Sequence, residues 1–320
     1  MKVFVTGATG AIGAPLIPML LEHGHEVVAL TRSPAKASAL QSIGAEAVIG
    51  DALDRRAVVG AVGRARPDAI VHQATALSGK FDLKHFDRFF AETNRLRTLG
   101  TDILLDAGRG SGVRRFLAQG YAGWPYRSDG PEVKSEEEPF EPALPDEMRP
   151  TVEAMRHLEG AVLGASDLEG VVLRYGAFYG PGSGLALDGD MTGMVRRRLM
   201  PVVGDGAGVW SFCHVEDGAA ATVTALEREA TGVYNVVDDR PTPVGEFLTG
   251  LARTLGAKPP RHVPAWLAKP LIGEAGVWLM TKPRGVSNAK AKTELDWTPR
   301  YPSWRHGFRA EMAMHGARSA

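Results

Sequence analysis

The chain has 320 residues, with 37 basic side chains matched by 37 acidic ones and 44% hydrophobic residues. That balance leaves no global field to gather nucleic acid or an anionic membrane, and no apolar run reaches the roughly 20 residues of a membrane span. The single cysteine, Cys213, excludes an internal disulfide and suits a reducing compartment.

The first strand expected is Val3–Thr6, and it runs straight into TGATGAIG. A strand that breaks into glycines and restarts as a helix places backbone N–H groups and a helix N-terminus around a diphosphate. In that reading Gly7 makes the tight turn, Gly10 lets the backbone approach the ligand, and Gly13 lets the helix lie close to the strand. Thr6, Ala11 and Ile12 complete the cradle. With a strand starting this early no secretory leader is expected, and the protein should be soluble and cytoplasmic. In the following helix Pro15 suits a first turn, whereas Pro18 predicts a kink.

Val27–Thr31 follows as the second strand, and its end selects the nucleotide. A carboxylate here would accept from a ribose 2′-OH, but the sequence has Thr31, Arg32 and Ser33, with Lys36 one turn later. Arg32 can grip a 2′-phosphate in a fork, with Ser33 and Lys36 adding donors, so NADP(H) is expected. Further strands are expected at Ala47–Ile49, Ala69–His72, Arg115–Ala118 and Gly170–Arg174. Alternation with helix-sized segments predicts parallel βαβ winding. Residues 126–150, rich in Pro and Glu, read as an extended, mobile surface loop with solvated carboxylates. Beyond Tyr179, Met194 to Met200 reads as a short basic helix and Gly232 to Asp239 as one more strand. The expected α/β organisation is a doubly wound parallel sheet over residues 1–175, to which 211–240 return. Residues 176–210 and 241–320 form a smaller substrate lobe.

These landmarks together resemble the extended short-chain dehydrogenase/reductase family, the NAD(P)-dependent epimerase/dehydratase-like proteins with a Rossmann sheet. TGATGAIG is joined by GDALD (with Asp51 and Ala52 at the adenine) and VHQATAL (with Gln73 and Ala74 over the cofactor). Asn94 in ETNRLRTLGT resembles the family's central-helix asparagine. LRYGAFYGPG resembles the segment lining the nicotinamide, which implies contacts from Tyr175 and Phe178. FCHVEDGAAA and NAKAKTELDWTP match its late signatures.

Catalysis in that family resembles a Ser/Thr–Tyr–Lys arrangement, with Tyr and Lys four apart on one helix face so that the ammonium lowers the phenol pKa. None of the six tyrosines here has Lys at the fourth following position. Where the pair is expected the sequence reads TVEAMRHLE, so Thr151 and Met155 replace Tyr and Lys. Where serines are expected stand Gly120 and Tyr121. Tyr121 is the candidate proton donor, with packing against Trp124 and Pro125 as the alternative. Arg156 and His157 read as a surface pair. Ahead of FCHVED, Trp210-Ser211 replaces the Arg-Asp pair of relatives that bind nucleotide sugars. Trp210, with Trp124, can stack on a planar substrate, while Arg196, Arg197 and Arg198 read as a solvated face. Cys213 reads as a buried thiol with no matching base.

The reading that results is an atypical NADP(H)-dependent oxidoreductase of a small apolar or aromatic metabolite. A non-catalytic NADP(H)-responsive regulator, and an epimerase, dehydratase or cyclase using the nucleotide as a fixed group, stand as alternatives. A small-molecule partner and a monomer or homodimer are expected.

Overall fold

The computed structural model describes residues 1–77, 82–228 and 230–319. Seven strands form its central sheet: β1 Lys2–Thr6, β2 Glu26–Thr31, β3 Glu46–Ile49, β4 Ala69–His72, β5 Arg115–Tyr121, β6 Glu169–Tyr175 and β7 Gly232–Val236. Their spatial order is β7-β6-β5-β4-β1-β2-β3, and every neighbouring pair is parallel. The order reverses between β1 and β4, the switch point at which such sheets bind ligands beyond the carboxyl ends of their strands.

Parallel strands covered on both faces read as near-continuous apolar runs, and the fully enclosed Val3, Phe4 and Val5 show why. One face packs Val3, Val5, Val27 and Val171 against α1 (Gly13–Glu22) and α8 (Val215–Glu227). The other packs Phe4, Ile70 and Phe116 against α3 (Arg55–Ala65), α5 (Thr101–Arg109) and α6 (Arg149–Leu163). Three of these helices are joined by α2 (Pro34–Ser42) and α4 (Phe86–Arg95) in chain order. Between α4 and α5 the chain adopts a π-helical turn over Leu96–Gly100. Such widened turns insert a residue and re-aim side chains, often at functional sites.

Four features depart from the sequence reading. First, the helix that Pro18 is expected to kink runs as one α-helix from Gly13 to Glu22. Second, β5 extends to Tyr121, so Gly120 and Tyr121 pair with Arg174 and Tyr175 inside the sheet. A Cβ at Gly120 would sit 3.0 Å from Arg174 Cγ, so glycine here makes room for that arginine. Third, residues 126–150 are pinned rather than loose. Tyr126, Lys134 and Met148 are fully buried, Tyr126 bridges to Phe140, and Val133–Lys134 pairs with Gly285–Val286. Its carboxylates accept backbone N–H groups: Glu136 from Asn235, Glu141 from Ser128 and Ala143, and Glu147 from Ala275. Fourth, helix α7 (Asp190–Arg196) ends inside the arginine run instead of spanning it. Arg196, Arg197 and Arg198 donate to the carbonyls of Leu187, Gly193 and Pro259.

A separate core beside the sheet is built on α9 (Val244–Thr254), α10 (Ala265–Thr281) and α12 (Trp304–Ser319), whereas α11 (Ala289–Glu294) packs back on the sheet's own core through Ala291, with Leu295 and Trp297. Tyr179, Phe212, Phe247, Trp304 and Phe308 belong to the separate core. A cavity of about 330 Å³ lined by Leu187, Asp188, Arg196, Leu255, Met312 and His315 lies beside it, and none of its lining belongs to the strand ends. Among the described residues no helix is long and apolar enough to cross a membrane.

Candidate active site

The glycine loop has the geometry its sequence requires. Gly7 has φ 76°, and a Cβ on it would lie 2.4 Å from the Gln73 backbone. At Gly13 a Cβ would lie 2.2 Å from the Gly7 carbonyl, so only glycine permits α1 to start against the strand end. Gly10 is exposed and donates to the Gly7 carbonyl at 3.0 Å. No side chain caps the first turn of α1; Ala14 donates to the Gly10 carbonyl and Pro15 carries no N–H, so an anion would meet the N–H groups of the loop residues just before them. Thr6 and Ile12 are buried beneath the loop and Ala11 is half-buried at its edge.

At the end of β2 the chain turns directly into α2. Ser33 caps α2 by accepting from the Lys36 N–H, and Thr31 Oγ1 accepts from the Ser33 N–H. Arg32 is largely exposed and 4.0 Å from Asp51, a surface ion pair that holds it weakly. Asp51 accepts the Leu53 N–H, and Ala52 is buried beside it. Arg32 is thus a largely exposed cation just before the N-terminus of α2.

Gln73 and Ala74 leave β4 beside Gly7. Gln73 Nε2 donates to the Tyr175 hydroxyl at 2.9 Å, while its buried Oε1 has no partner. Tyr175 is fully enclosed and shares its hydroxyl with Thr222 at 2.6 Å. The expectation that Tyr175 touches the nucleotide is therefore corrected: it steadies Gln73 from inside the core. Phe178, half-buried and 5.3 Å from the Tyr175 ring, keeps a face toward the site. Behind these, Thr6 Oγ1 and the Leu96 carbonyl contact the two nitrogens of His72 at 2.7 and 3.1 Å. Burial lowers the His72 pKa to about 4, so the neutral ring links β1 and β4 to the π-turn.

No Tyr/Lys pair exists at the expected place. Thr151 is fully buried and accepts from Asn94 Nδ2 at 3.1 Å, leaving Asn94 Oδ1 buried and unpaired. Met155 is packed with Trp124, Tyr126 and Val152 in an apolar cluster. Tyr121, half-buried, packs on the same cluster with its ring 6.1 Å from Trp124. Burial pushes its pKa well up, opposed in part by Arg97, so it remains a neutral O–H donor at physiological pH.

The two tryptophans read as stacking platforms are otherwise engaged. Trp124 is buried edge-on to Phe86 at 5.6 Å. Trp210 donates Nε1–H to the Leu279 carbonyl at 2.8 Å and packs on Phe212 and Phe247, so it anchors the lobe core and keeps a partly exposed edge. Cys213 is a buried free thiol raised by burial. His157 pairs with Asp102 at 2.8 Å on the surface, and Arg156 lies over Phe140.

Two groups escaped the sequence reading. Arg97, inside the π-turn, is 4% exposed with Nε and one terminal nitrogen unpartnered. Asp238 is 2% exposed, with one oxygen accepting the Arg240 N–H and the other unpartnered. Burial raises the Asp238 pKa to about 8. The fold therefore favours its protonated form, and this group's contribution to stability declines as pH rises from the carboxylate range through about 8. Asp238→Asn should gain on the unsubstituted protein by on the order of 2–3 kcal/mol between pH 5 and pH 8. Urea titrations at both pH values check this; equal differences at the two would contradict it.

Comparison with known proteins accords with this geometry. The model of the NAD dependent epimerase/dehydratase family matches residues 3–237. The chain belongs to that family. It is 46% identical over 312 residues to 3-diazoavenalumate denitrifying reductase from a Streptomyces species, covering 97% of this chain and 100% of that one. It is 29% identical to 2-alkyl-3-oxoalkanoate reductase of Stenotrophomonas maltophilia, over 80% of this chain and 76% of the relative. Among solved structures, UDP-glucose 4-epimerase of Thermus thermophilus in complex with NAD superposes with a TM-score of 0.76 at 26% identity, covering 99% and 100% of the two chains. The Thermotoga maritima enzyme of the same name, at 22% identity over both full chains, shares the fold with a TM-score of 0.79. The chain is thus a nicotinamide-dinucleotide-dependent enzyme, an oxidoreductase of this family.

Proposed function

We propose that this enzyme is an NADPH-dependent reductase whose acceptor is an electron-poor aromatic acid, a diazo acid above all, reduced without a dedicated proton-transfer pair. The observation that carries the reading is the replacement of Tyr and Lys by the buried Thr151 and Met155. General acid catalysis supplies about 10²–10⁴-fold in carbonyl reduction, so a site without it suits an acceptor that does not need it. The Streptomyces relative is named for denitrifying a diazo acid, which is such an acceptor. A bound nicotinamide would supply hydride. An arenediazonium that gains hydride breaks its C–N bond, expels N₂ and forms a ring C–H bond at the same carbon, so no net proton is required. Around it the chain's own groups bind and orient: the glycine loop and α1 hold the diphosphate, and Gln73 and Phe178 border the nicotinamide. Tyr121 offers a neutral O–H donor, and the Trp124 cluster keeps water from that side of the cleft.

The NADP(H) preference rests on Arg32 and Lys36 at the end of β2. A charge-assisted fork contributes about 1.5–3 kcal/mol, so NADPH should bind roughly tenfold or more tighter than NADH. Arg32→Ala should remove most of that preference with little change for NADH. Calorimetry on both proteins checks this, and equal affinities before substitution would contradict it. The reductase reading is tested by following NADPH absorbance with a diazo acid, a conjugated enone and simple ketones. The diazo acid should be consumed fastest; brisk turnover of the ketones alone would overturn the reading.

A further inference from the structure

The chain places one cation where no carboxylate of its own answers it. Arg97 lies three residues after Asn94, inside the π-turn Leu96–Gly100, where the widened turn re-aims side chains. Asn94 already faces Thr151 through its 3.1 Å hydrogen bond. Arg97 is 4% exposed, and its Nε and one terminal nitrogen are buried without a partner. Tyr121 and Glu159 are the ionisable groups that bear on it. Glu159 cannot neutralise it, because Arg174 holds both its oxygens at 2.7 Å. Burial lowers the Arg97 pKa only to about 10, so it stays charged at physiological pH. An unpaired buried guanidinium is costly unless an anion completes it. Asn94 Oδ1, three residues away, is likewise buried and unpaired.

We propose that Arg97 is the anion-binding group of the substrate cleft, taking the carboxylate of an aromatic acid beside Tyr121. The proposal deepens the reductase reading by giving its substrate a charge and a point of attachment. Arg97 anchors the ligand and transfers no proton.

The test uses the full chain loaded with NADP⁺, and 4-hydroxycinnamate and its methyl ester as probes in calorimetry. The acid should bind about tenfold or more tightly than the ester, as expected for a charge-assisted pair. Arg97→Met should abolish that difference and Arg97→Lys should keep part of it, while NADP⁺ affinity stays unchanged. Without probe, Arg97→Met should not lower the thermal midpoint, because an apolar side chain replaces an uncompensated charge. Equal binding of acid and ester, no binding of either, or an acid preference that survives Arg97→Met would each overturn the proposal. So would a lowered midpoint in Arg97→Met, which would show that the fold itself uses the cation. Because binding is measured without turnover, a failure of diazo reduction would leave the anion site standing, and the reverse holds equally.

Discussion

Arg174→Met should destabilise the protein by about 3–5 kcal/mol, the cost of removing one partner from a buried ion pair. Arg174 donates to both oxygens of Glu159 at 2.7 Å, to the Tyr126 hydroxyl at 2.7 Å and to the Glu136 carbonyl at 3.3 Å. Tyr126 passes its own proton to Asn235 Oδ1 at 2.7 Å, so one side chain on β6 fastens α6, β7 and the 126–150 segment together. Glu159 is 9% exposed, and without Arg174 its carboxylate would be left with little water and no cation. Arg174→Met combined with Glu159→Leu should recover much of the loss, because the uncompensated charge disappears with its partner. Urea unfolding of the three proteins decides the matter: a single-variant loss below about 1 kcal/mol would place the pair among weak surface contacts.

A second large effect is expected in acceptor choice. Simple aliphatic ketones should be reduced about 10²–10⁴-fold more slowly than an acceptor that needs no proton at the transition state. Thr151, bonded to Asn94, and Met155, buried among aromatic side chains, cannot replace a phenol and an ammonium. Tyr121 does not restore the pair, since burial makes its hydroxyl a poorer acid than an ordinary phenol. Comparing kcat/KM for a ketone and a diazo acid under one set of conditions checks this. Comparable values would mean that a proton donor serves the site after all.

Much of the fold was legible because its strands are short, apolar and regularly separated by helix-length segments. The glycine loop was legible for a steric reason, since no other residue fits between the Gly7 carbonyl and the start of α1. Arg32 and Lys36 were chosen because the end of β2 carries no carboxylate, a reading that the nucleotide affinities test. The 126–150 segment misled because composition reports solvation, whereas its acids are satisfied by backbone N–H groups from distant elements. Tyr175 misled because position along a strand does not reveal that its hydroxyl turns inward to Gln73 and Thr222. Arg97 was missed altogether. Its signal was present, three residues after an asparagine already assigned to the interior face, but a charged residue in a helix reads as exposed until the π-turn is seen.

The claim most open to direct contradiction is that hydride reaches the acceptor and no proton pair is needed. NADPH labelled with deuterium at the transferred position should be consumed one for one with an arenediazonium acid, releasing N₂ and the parent aromatic acid. That rate should exceed the protein-free control and change little in Tyr121→Phe. If the labelled nucleotide is consumed no faster than in the control, while an ordinary ketone yields deuterated alcohol and that yield collapses in Tyr121→Phe, the protein is a conventional carbonyl reductase with a relocated acid.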